Sequence, residues 1–506
     1  MTLSEPVVSE HMTSGPGAVS DAPERRLHPW SWLFVLLAQL KQFIVPLAAL
    51  LFFGRGDRNE LWPLIGVGVL ALTSVLQYFT YRYSIGSDGI SIRSGWLHRS
   101  RREIPFARIH NVAVQQTLLH RLFGVAELRL ESAGGNKPEA QMRVLRMDDA
   151  LALEQVIRHR GHAPGADAAQ TEEDDVLLAL PPAEVLRLGL ISNRGLVVIG
   201  AAFAGASQMS PRLIPNLFES WGEALFGWAG AQHFGLAQYA LAAVSLLLAF
   251  VVLLRLLSVA LALLQYYGFR LTEHDHRLTV ERGLLARFRT SAARRRIQAW
   301  TLHEGMLHRW FKRRSLHVDS ATGDEQQQQR SLRELAPIAT PQACAALIAH
   351  LLPDSAWDAL QWQPLHGRAW RRLFLPGAVF ALVATAVLTW RFGGWGLLML
   401  LWLPWSAYAA RQHANHAGYA LNERLVAVRG GWWSRHWRFA EVDKLQALRL
   451  SQTPFDRRHG MATLWLDTAG ASAMAPPLRI RYIAEAEARA LQARLAHKLA
   501  RRKLQW

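Results

Sequence analysis

The side chains best suited to catalysis or metal binding are histidines, and their spacing serves neither purpose well. His274 and His276 lie in the stretch EHDH, and His413 and His416 lie in the stretch HANH. Either pair could contact a metal ion, but a protein zinc site needs three or four ligands and no third ligand is evident. We interpret both pairs as surface histidines and predict no metal site.

The sequence also lacks the residue patterns of other enzyme active sites. The chain contains no GxxxxGK[ST], no HExxH and no GxSxG motif, and no GxGxxG opens a helix after a strand. Cys344 is the single cysteine, which excludes an intramolecular disulfide, a CxxC redox pair and a cysteine-based zinc site. The sequence therefore predicts no catalytic residue, no cofactor and no enzymatic activity.

Positive charge is the strongest chemical signal. The 506 residues include 57 Lys and Arg against 39 Asp and Glu, a formal net charge of +18. This excess indicates a polyanionic neighbour, either a nucleic acid or an anionic lipid surface. Each cation near an anionic leaflet contributes about 1 kcal/mol to membrane binding. The alternative interpretation is that these cations are ordinary solvated surface charges. The candidate lipid-surface contacts are Arg99, Arg101, Arg102, Arg294, Arg295, Arg296, Lys312, Arg313, Arg314, Arg435 and Arg438.

A second charge pattern recurs three times along the chain. An arginine is followed ten residues later by a carboxylate, and this spacing predicts structural ion pairs across neighbouring strands in preference to a ligand site. The three pairs are Arg121 with Glu131, Arg309 with Asp319, and Arg457 with Asp467.

The elements that would position these side chains begin with long apolar runs, which come in pairs. The runs are 32–53 and 61–79, then 186–206 and 236–264, then 373–390 and 395–409. A bilayer core requires about 20 apolar residues in a helix, and tryptophans lie near several ends of these runs. We expect six transmembrane helices in three pairs. Lys41 and Arg255 are the cations that we interpret as intramembrane, and no acidic residue lies inside the runs to pair with them.

Most remaining cations follow the second run of each pair, in the segments 80–180, 267–370 and 411–506. Even numbers of spans separate these segments, so they lie on the same side of the membrane as the N-terminal tail, 1–29. We interpret this tail as disordered and not as a signal peptide. The positive-inside rule places that side in the cytoplasm. We therefore expect a multi-pass protein of a cytoplasmic membrane, with the tail and the three basic segments on its cytoplasmic side.

The three basic segments are copies of one another. When Gly95, Gly283 and Gly431 are aligned, each follows a strand-like run (GISIRSG, RLTVERG, LVAVRGG) and precedes bulky apolar residues (WL, LL, WW). A basic–aliphatic–polar triplet comes thirteen residues later, and strands reading LRLESA, LHVDSA and LWLDTA follow. Each copy closes with an amphipathic helix, expected at 148–158, 341–352 and 484–499. Several antiparallel strands and one helix predict a small barrel capped by a helix.

These motifs resemble the bacterial pleckstrin-homology, membrane-flanking proteins of the YdbT type. The resemblance rests on the strand–glycine–apolar element, the triplet and the strand that ends in D/E-S/T-A, and it extends from about residue 30 to 500. It implies an α+β integral membrane protein in which each helix pair precedes a pleckstrin-homology-like antiparallel barrel with a C-terminal helix. It implies no defined catalytic activity.

The resulting division has nine segments. They are a cytoplasmic tail (1–29), transmembrane pair 1 (30–80), repeat 1 (81–165), a linker (166–183), pair 2 (184–266), repeat 2 (267–354), a linker (355–370), pair 3 (371–410) and repeat 3 (411–506).

The favoured function is a non-enzymatic scaffold or sensor whose cytoplasmic repeats contact anionic phospholipids, a protein partner or a second copy. The family resemblance adds a role in envelope maintenance or stress resistance. One alternative is a transporter or flippase that handles anionic headgroups with Lys41 and Arg255. A nucleic-acid-binding protein is disfavoured, because its cations would need to form one continuous stripe.

Overall fold

The computed structural model describes residues 24–40, 61–87, 89–95, 99–106, 109–132, 140–160, 175–209, 212–231, 235–320, 332–469 and 476–501. The chain divides into a smaller compact unit (1–110, 120–132 and 138–167) and a larger one (111–119, 133–137 and 168–506). Lys41, Arg108 and most of the N-terminal tail lie outside the described residues.

Groups of strands and groups of helices follow one another along the chain. The strands are β1 (Arg25–Arg26), β2 (Arg82–Ile85), β3 (Gly89–Ser94), β4 (Ser100–Pro105), β5 (Ile109–Gln116), β6 (Val125–Ser132), β7 (Ala140–Arg146), β8 (Asp175–Ala179), β9 (Arg270–His274), β10 (Arg277–Arg282), β11 (Arg287–Ala293), β12 (Ile297–Glu304), β13 (Arg314–Ser320), β14 (Glu334–Ala339), β15 (Gln363–Pro364), β16 (Gly418–Leu421), β17 (Leu425–Gly430), β18 (Arg435–Glu441), β19 (Leu445–Ser451), β20 (Met461–Thr468) and β21 (Arg479–Ala484). The helices are α1 (Ser31–Leu40), α2 (Leu61–Thr80), α3 (Leu118–Leu122), α4 (Met147–Arg160), α5 (Pro182–Ile191), α6 (Arg194–Met209), α7 (Leu213–Ala231), α8 (Leu236–Tyr266), α9 (Met306–Trp310), α10 (Pro341–Leu351), α11 (Ala369–Phe392), α12 (Trp402–His416), α13 (Pro454–Arg458) and α14 (Glu485–Ala500).

Local sequence signals explain where several elements begin. Thr340 caps α10, because its side-chain oxygen accepts a hydrogen bond from the Ala343 amide at 3.1 Å, and Pro341 occupies the first turn. In β10, Leu278 and Val280 point into the core and are 0% and 5% exposed. Each repeat contains two sets of strands followed by a helix, which confirms the predicted order.

The strand sets do not close into separate barrels, and this differs from the expectation. In repeat 2, β9–β11 and β12–β14 belong to different sheets. The second set continues into repeat 3 in the order β14-β13-β12-β18-β17-β16-β15, and β19-β20-β21 form a sheet of their own. In the larger unit, the first set of repeat 2 (β9–β11) lies between β5 of repeat 1 and β8, in the order β5-β11-β10-β9-β8. Neighbouring repeats therefore share sheets.

Both junctions use the same strand register. Ala113 of β5 pairs with Thr290 of β11, and Thr301 of β12 pairs with Arg438 of β18. These pairs coincide when the repeats are superposed on Gly95, Gly283 and Gly431. The core of repeat 2 lies between its two strand sets and α10, and that of repeat 3 between its own two sets and α14.

The smaller unit contains the order β1-β2-β3-β4 and the antiparallel pair β6–β7. The start of α1 packs inward, with Phe34 against Val125 and Val144. Gln39 of α1 accepts a hydrogen bond from the Ser74 hydroxyl of α2 at 2.8 Å. The two helices of the first pair therefore meet, as far as α1 is described.

Among the described residues, Ala237–Tyr266 and Ala369–His416 are long and apolar enough to cross a membrane. The bent pair Pro182–Ile191 and Arg194–Gln208, with an angle of 53°, would make a third span. Six spans are thus not confirmed, and the end of the first run lies outside the described residues.

The stretch Ala369–His416 folds back on itself. A Cβ at Gly377 of α11 would overlap the Ser406 hydroxyl of α12, and the rings of Phe380 and Trp402 lie 6.2 Å apart. The nine residues Gly393–Leu401 form the 3₁₀ connection between the arms. This hairpin matches the predicted third pair of runs.

Candidate membrane-contact surface

The glycine that defines each repeat turns a β-hairpin. Gly95, Gly283 and Gly431 have φ values of +103°, +112° and +85°, a region that L-residues rarely adopt. A Cβ at Gly283 would overlap the carbonyl oxygen of Ala286, and one at Gly431 would overlap that of Ser434. The recurrence of glycine is therefore a backbone requirement of these turns.

In repeat 2 this turn lies along the end of the long apolar helix α8. The Gly283 amide donates to the Tyr267 carbonyl at 2.9 Å, and the Leu284 amide donates to the Leu264 carbonyl at 3.0 Å. Leu284 and Leu285 remain 37% and 41% exposed. The turn holds two large apolar side chains beside a helix that is itself apolar.

Repeat 3 repeats this arrangement with tryptophans. The ring of Trp432 lies 6.2 Å from that of Trp405 and 5.5 Å from that of Tyr408, both on α12. Trp433 is 49% exposed. We call residues 283–285 and 431–433 the apolar turns; of the corresponding residues 95–97 in repeat 1, only Gly95 lies in the described part of the chain.

Some of the predicted lipid-surface cations are exposed. Arg99, Arg101 and Arg102 lie at or on β4, and Arg101 pairs with Glu103 at 3.0 Å. In repeat 2, Arg295 and Lys312 are exposed. These positions are open to a charged surface. Arg296 and Arg435 are half-buried, and burial lowers the pKa of Arg296 to about 10.

Arg438 is buried inside the fold, which corrects its assignment as a lipid contact, and Arg294, Arg313 and Arg314 are half-buried and paired with carboxylates. Arg438 is 2% exposed and donates to Asp319 at 2.7 Å and to Thr301 at 2.9 Å. The remaining three ion pairs are Arg313 with Glu184 at 2.8 Å, Arg314 with Glu304 at 3.0 Å, and Arg294 with Glu273 at 3.5 Å. Burying an unpaired charge is costly, so these guanidinium groups bind carboxylates.

The predicted Arg309–Asp319 ion pair is wrong, because Asp319 binds Arg438 of the next repeat while Arg309 is exposed on α9. Arg457 and Asp467 are both exposed. Arg121 is exposed, and the side chain of Glu131 is outside the described set. The recurrent carboxylate is therefore a pairing position in repeat 2, but its partner comes from the neighbouring repeat.

Arg255, predicted as an intramembrane cation, lies at the break between α5 and α6. Its Nη1 donates to the carbonyl oxygens of Leu190 and Ser192, both at 3.1 Å, and to the Asn193 side chain at 3.3 Å. The Ser258 hydroxyl, also on α8, donates to the Ser192 carbonyl at 2.9 Å. Arg255 thus donates hydrogen bonds to backbone carbonyls that have no helical partner at the break. Such carbonyls are especially costly to leave without a hydrogen bond where water is excluded.

Arg194 also lies in an apolar run, and the sequence reasoning missed it. It donates to the Tyr266 hydroxyl, and its Cζ lies 4.5 Å from the Tyr266 ring centroid. The Tyr266 hydroxyl donates to Glu334, which also binds Arg282 at 2.7 Å. We call these four residues the junction cluster. Ser192 and Asn193, directly before Arg194, are residue types that favour a turn. They were the sequence signal that Arg194 lies at a break between two helices.

The histidines predicted as surface residues are not assembled into a ligand set. His274 and His276 flank the turn between β9 and β10, and no group of three His, Cys, Asp or Glu in the described residues could hold a metal ion. A different set meets where β12 and β18 pair: His303 lies opposite His436, and its ring is 5.5 Å from that of His308. Burial lowers the pKa of His308 and of His436 to about 4.

Three stretches of the chain, 33–161, 227–352 and 372–499, match the family profile described as Bacterial PH domain. The chain belongs to this bacterial PH domain family. It is also 21% identical, over 92% of its length and 96% of that protein's, to the transmembrane protein YdbT of Bacillus subtilis (strain 168). No solved structure matches. The resemblance to YdbT-type bacterial PH proteins is thus confirmed, and the chain is a membrane protein.

Proposed function

We propose that this bacterial PH protein is a multi-pass, non-enzymatic scaffold or sensor of a cytoplasmic membrane. Three helix pairs hold three PH-like repeats on the cytoplasmic face, where the repeats contact anionic phospholipids and protein partners. A role in envelope maintenance or stress resistance follows from the family resemblance alone.

The observation that carries the proposal is the pair of apolar turns. The turn of repeat 2 places the exposed Leu284 and Leu285 beside α8, and the turn of repeat 3 places the half-buried Trp432 and the exposed Trp433 beside α12, at the level where each helix reaches its repeat. Large apolar side chains of this kind favour the membrane interface. Arg295 and Lys312 of repeat 2 are exposed, and cations there strengthen attachment to an anionic leaflet. The turns and cations together fit a domain held flat against lipid.

A protein partner fits the outer edge of β19. At both junctions between repeats, the corresponding strand (β5 or β12) pairs with the third strand of the next repeat, β11 or β18. Among the described residues β19 pairs with β20 alone. A partner strand, or a strand of a second copy, would continue the sheet there by β-augmentation.

Topology is tested by labelling single cysteines in membrane vesicles of known orientation. In a Cys344→Ala background, Arg99→Cys, Arg295→Cys and Arg457→Cys report on the three repeats, and Trp221→Cys reports on α7, where Trp221 is 69% exposed. We expect a membrane-impermeant maleimide to label the three repeat positions only from the cytoplasmic side and position 221 only from the opposite side. Repeat positions reached from opposite sides would overturn the proposal.

The helix break at Ser192 and Asn193 favours a second candidate, a lipid transporter. Discontinuous helices with charged residues at the break occur in transporter binding sites. The full chain would be reconstituted in liposomes and scrambling of a fluorescent anionic phospholipid measured. Scrambling that Arg255→Met abolishes, in a protein that still folds, would support transport; no scrambling would refute it.

A further inference from the structure

Repeat 3 contains a cavity of about 290 Å³ that the proposed function does not use. Arg429 of β17, His436 of β18, and Arg479 and Arg481 of β21 line one side of it. Three arginines from two strands thus converge on one space. Its size lies near the lower end of the range for small-molecule sites, about 300 Å³.

The cavity holds positive charge without a counterion. Among the lining residues that the structure describes, none carries a carboxylate. The Nε atoms of Arg429 and Arg479 are buried and make no hydrogen bond within the described residues. Their guanidinium groups stack on the rings of Trp362 and Trp465, with the Cζ atoms 5.1 Å and 4.6 Å from the ring centroids. Burial lowers the pKa of Arg429, Arg479 and Arg481, the direction expected for cations removed from water.

Repeat 2 has a carboxylate at the ladder position of Arg479. Glu334 lies opposite His317 in the β13–β14 ladder, and Arg479 lies opposite Trp465 in the β20–β21 ladder. His317 and Trp465 occupy the same repeat position. In repeat 2 the carboxylate of Glu334 binds Arg282 and Tyr266 of the junction cluster. In repeat 3 an arginine takes that ladder position and Gly430 takes the position of Arg282, so the charge there is reversed. The arginines of the cavity meet no carboxylate among its described lining residues, and an anion from outside the protein would balance their charge.

The position of the cavity relative to the helical hairpin α11–α12 indicates where that anion comes from. Its lining also includes Leu373, in the second turn of α11, and His413, in the last turn of α12. The cavity therefore opens beside the ends of the hairpin, and the apolar turn containing Trp432 packs on the same arm, α12. If the hairpin spans the bilayer, this level is that of the phospholipid phosphates.

We propose that Arg429, Arg479 and Arg481 form a binding site for a phosphate group, carried by an anionic phospholipid headgroup or present as free phosphate. Arginine forks match phosphate oxygens bidentately, and a planar guanidinium stacked on an indole is well fixed for this purpose. The lipid source rests on the proposed membrane-facing function, whereas the phosphate chemistry does not.

Binding is tested with the full-length protein in detergent and in nanodiscs. Native mass spectrometry would count phosphatidylglycerol and phosphatidylcholine molecules retained, and isothermal titration would measure inorganic phosphate. We expect retention of phosphatidylglycerol over phosphatidylcholine, weakened at least tenfold by Arg479→Gln and by Arg481→Gln. Arg479→Glu restores the carboxylate of repeat 2 and should abolish binding. The matched control, Arg457→Gln, changes an exposed arginine outside the cavity and should bind as the wild type does.

Each outcome decides between the sources. Retained phosphatidylglycerol without phosphate binding identifies the headgroup, and phosphate binding without lipid selectivity identifies the free anion. Neither ligand binding, or equal binding by wild type, Arg479→Glu and the control, overturns the site. Folding is verified for every variant by its thermal transition without ligand, and Arg479→Glu should not lower it, since the new carboxylate neutralises two neighbouring arginines. Phosphate binding that persists when labelling contradicts the cytoplasmic topology would preserve the site and refute the proposed function.

Discussion

Replacing Arg438 with methionine tests how repeats 2 and 3 are joined. The Arg438 guanidinium lies in the β12–β18 seam, 2.7 Å from Asp319, whose side chain is 7% exposed. At this distance and an effective dielectric of about 20, the attraction is about 6 kcal/mol. Desolvation offsets much of it when both partners are present. Removing one partner strands a buried charge, and such changes cost about 3–5 kcal/mol.

The assay is hydrogen–deuterium exchange of the full-length protein in nanodiscs, read by mass spectrometry. A loss of about 3 kcal/mol should speed exchange of the β12 and β18 amides roughly 100-fold where they exchange through local opening. Arg457→Met is the control, since Arg457 is exposed on α13, and it should leave these amides unchanged.

A second variant separates the stranded charge from lost packing. Asp319→Asn together with Arg438→Met removes the buried anion, so we expect exchange slower than in Arg438→Met alone by about tenfold. Exchange in Arg438→Met within threefold of the wild type would refute the view that this pair fastens the seam. Equal exchange in the single and double variants would refute the stranded-charge explanation.

Three further predictions concern the helix break, the apolar turn and pH. Arg255→Met should cost about 1–2 kcal/mol, because two carbonyls lose a charged donor, and Ser258→Ala less than 1 kcal/mol, both measured by reversible unfolding in detergent; no loss in Arg255→Met would contradict the capping role. Gly431→Ala should destabilise by more than 2 kcal/mol, since its Cβ meets the Ser434 carbonyl, whereas Gly460→Ala, also at positive φ but in open space, should cost about 1 kcal/mol; equal losses would refute the steric argument. The pKa values of His308 and His436 lie near 4 when folded and near 6.5 when unfolded, so stability is full above about pH 6.5 and falls toward pH 4, by about 2 kcal/mol per histidine at pH 5; a His308→Gln/His436→Gln variant whose thermal midpoint falls as steeply between pH 6.5 and 5 would contradict this.

The repeat was predictable because its strongest signal is local. A glycine at positive φ cannot be replaced without strain, so it marks the same turn three times, at Gly95, Gly283 and Gly431. Strand order and terminal helices followed from alternation and capping, as the Thr340 cap shows. The apolar runs likewise predicted α8 and the α11–α12 hairpin.

Pairing between repeats was not predictable from one repeat. Aligning the copies identified Asp319 as a recurrent carboxylate but assigned it to Arg309, because alignment compares positions and does not say which repeat supplies a partner. Arg438 lies opposite Thr301 only because the sheet continues from repeat 2 into repeat 3. A cation assigned to lipid by composition was therefore internal.

The proposed phosphate site could not be predicted from the sequence for the same reason. Arg479 and Glu334 lie in strands whose neighbouring residues differ, and they correspond only after each is placed opposite its ladder partner. A net charge of +18 indicates an anionic neighbour but does not locate it. Three-dimensional pairing distinguishes a solvated arginine from one aimed into a cavity.

The depth of the apolar turn in repeat 3 tests the central claim most directly. A nitroxide would be attached at Trp433→Cys or, as reference, at Arg457→Cys, both in the Cys344→Ala background and in nanodiscs containing phosphatidylglycerol. We expect the label at 433 to be relaxed more by oxygen than by a water-soluble nickel chelate, and the label at 457 to show the reverse. Equal access of the nickel chelate to both positions would place the turn in water and contradict a membrane-contacting repeat.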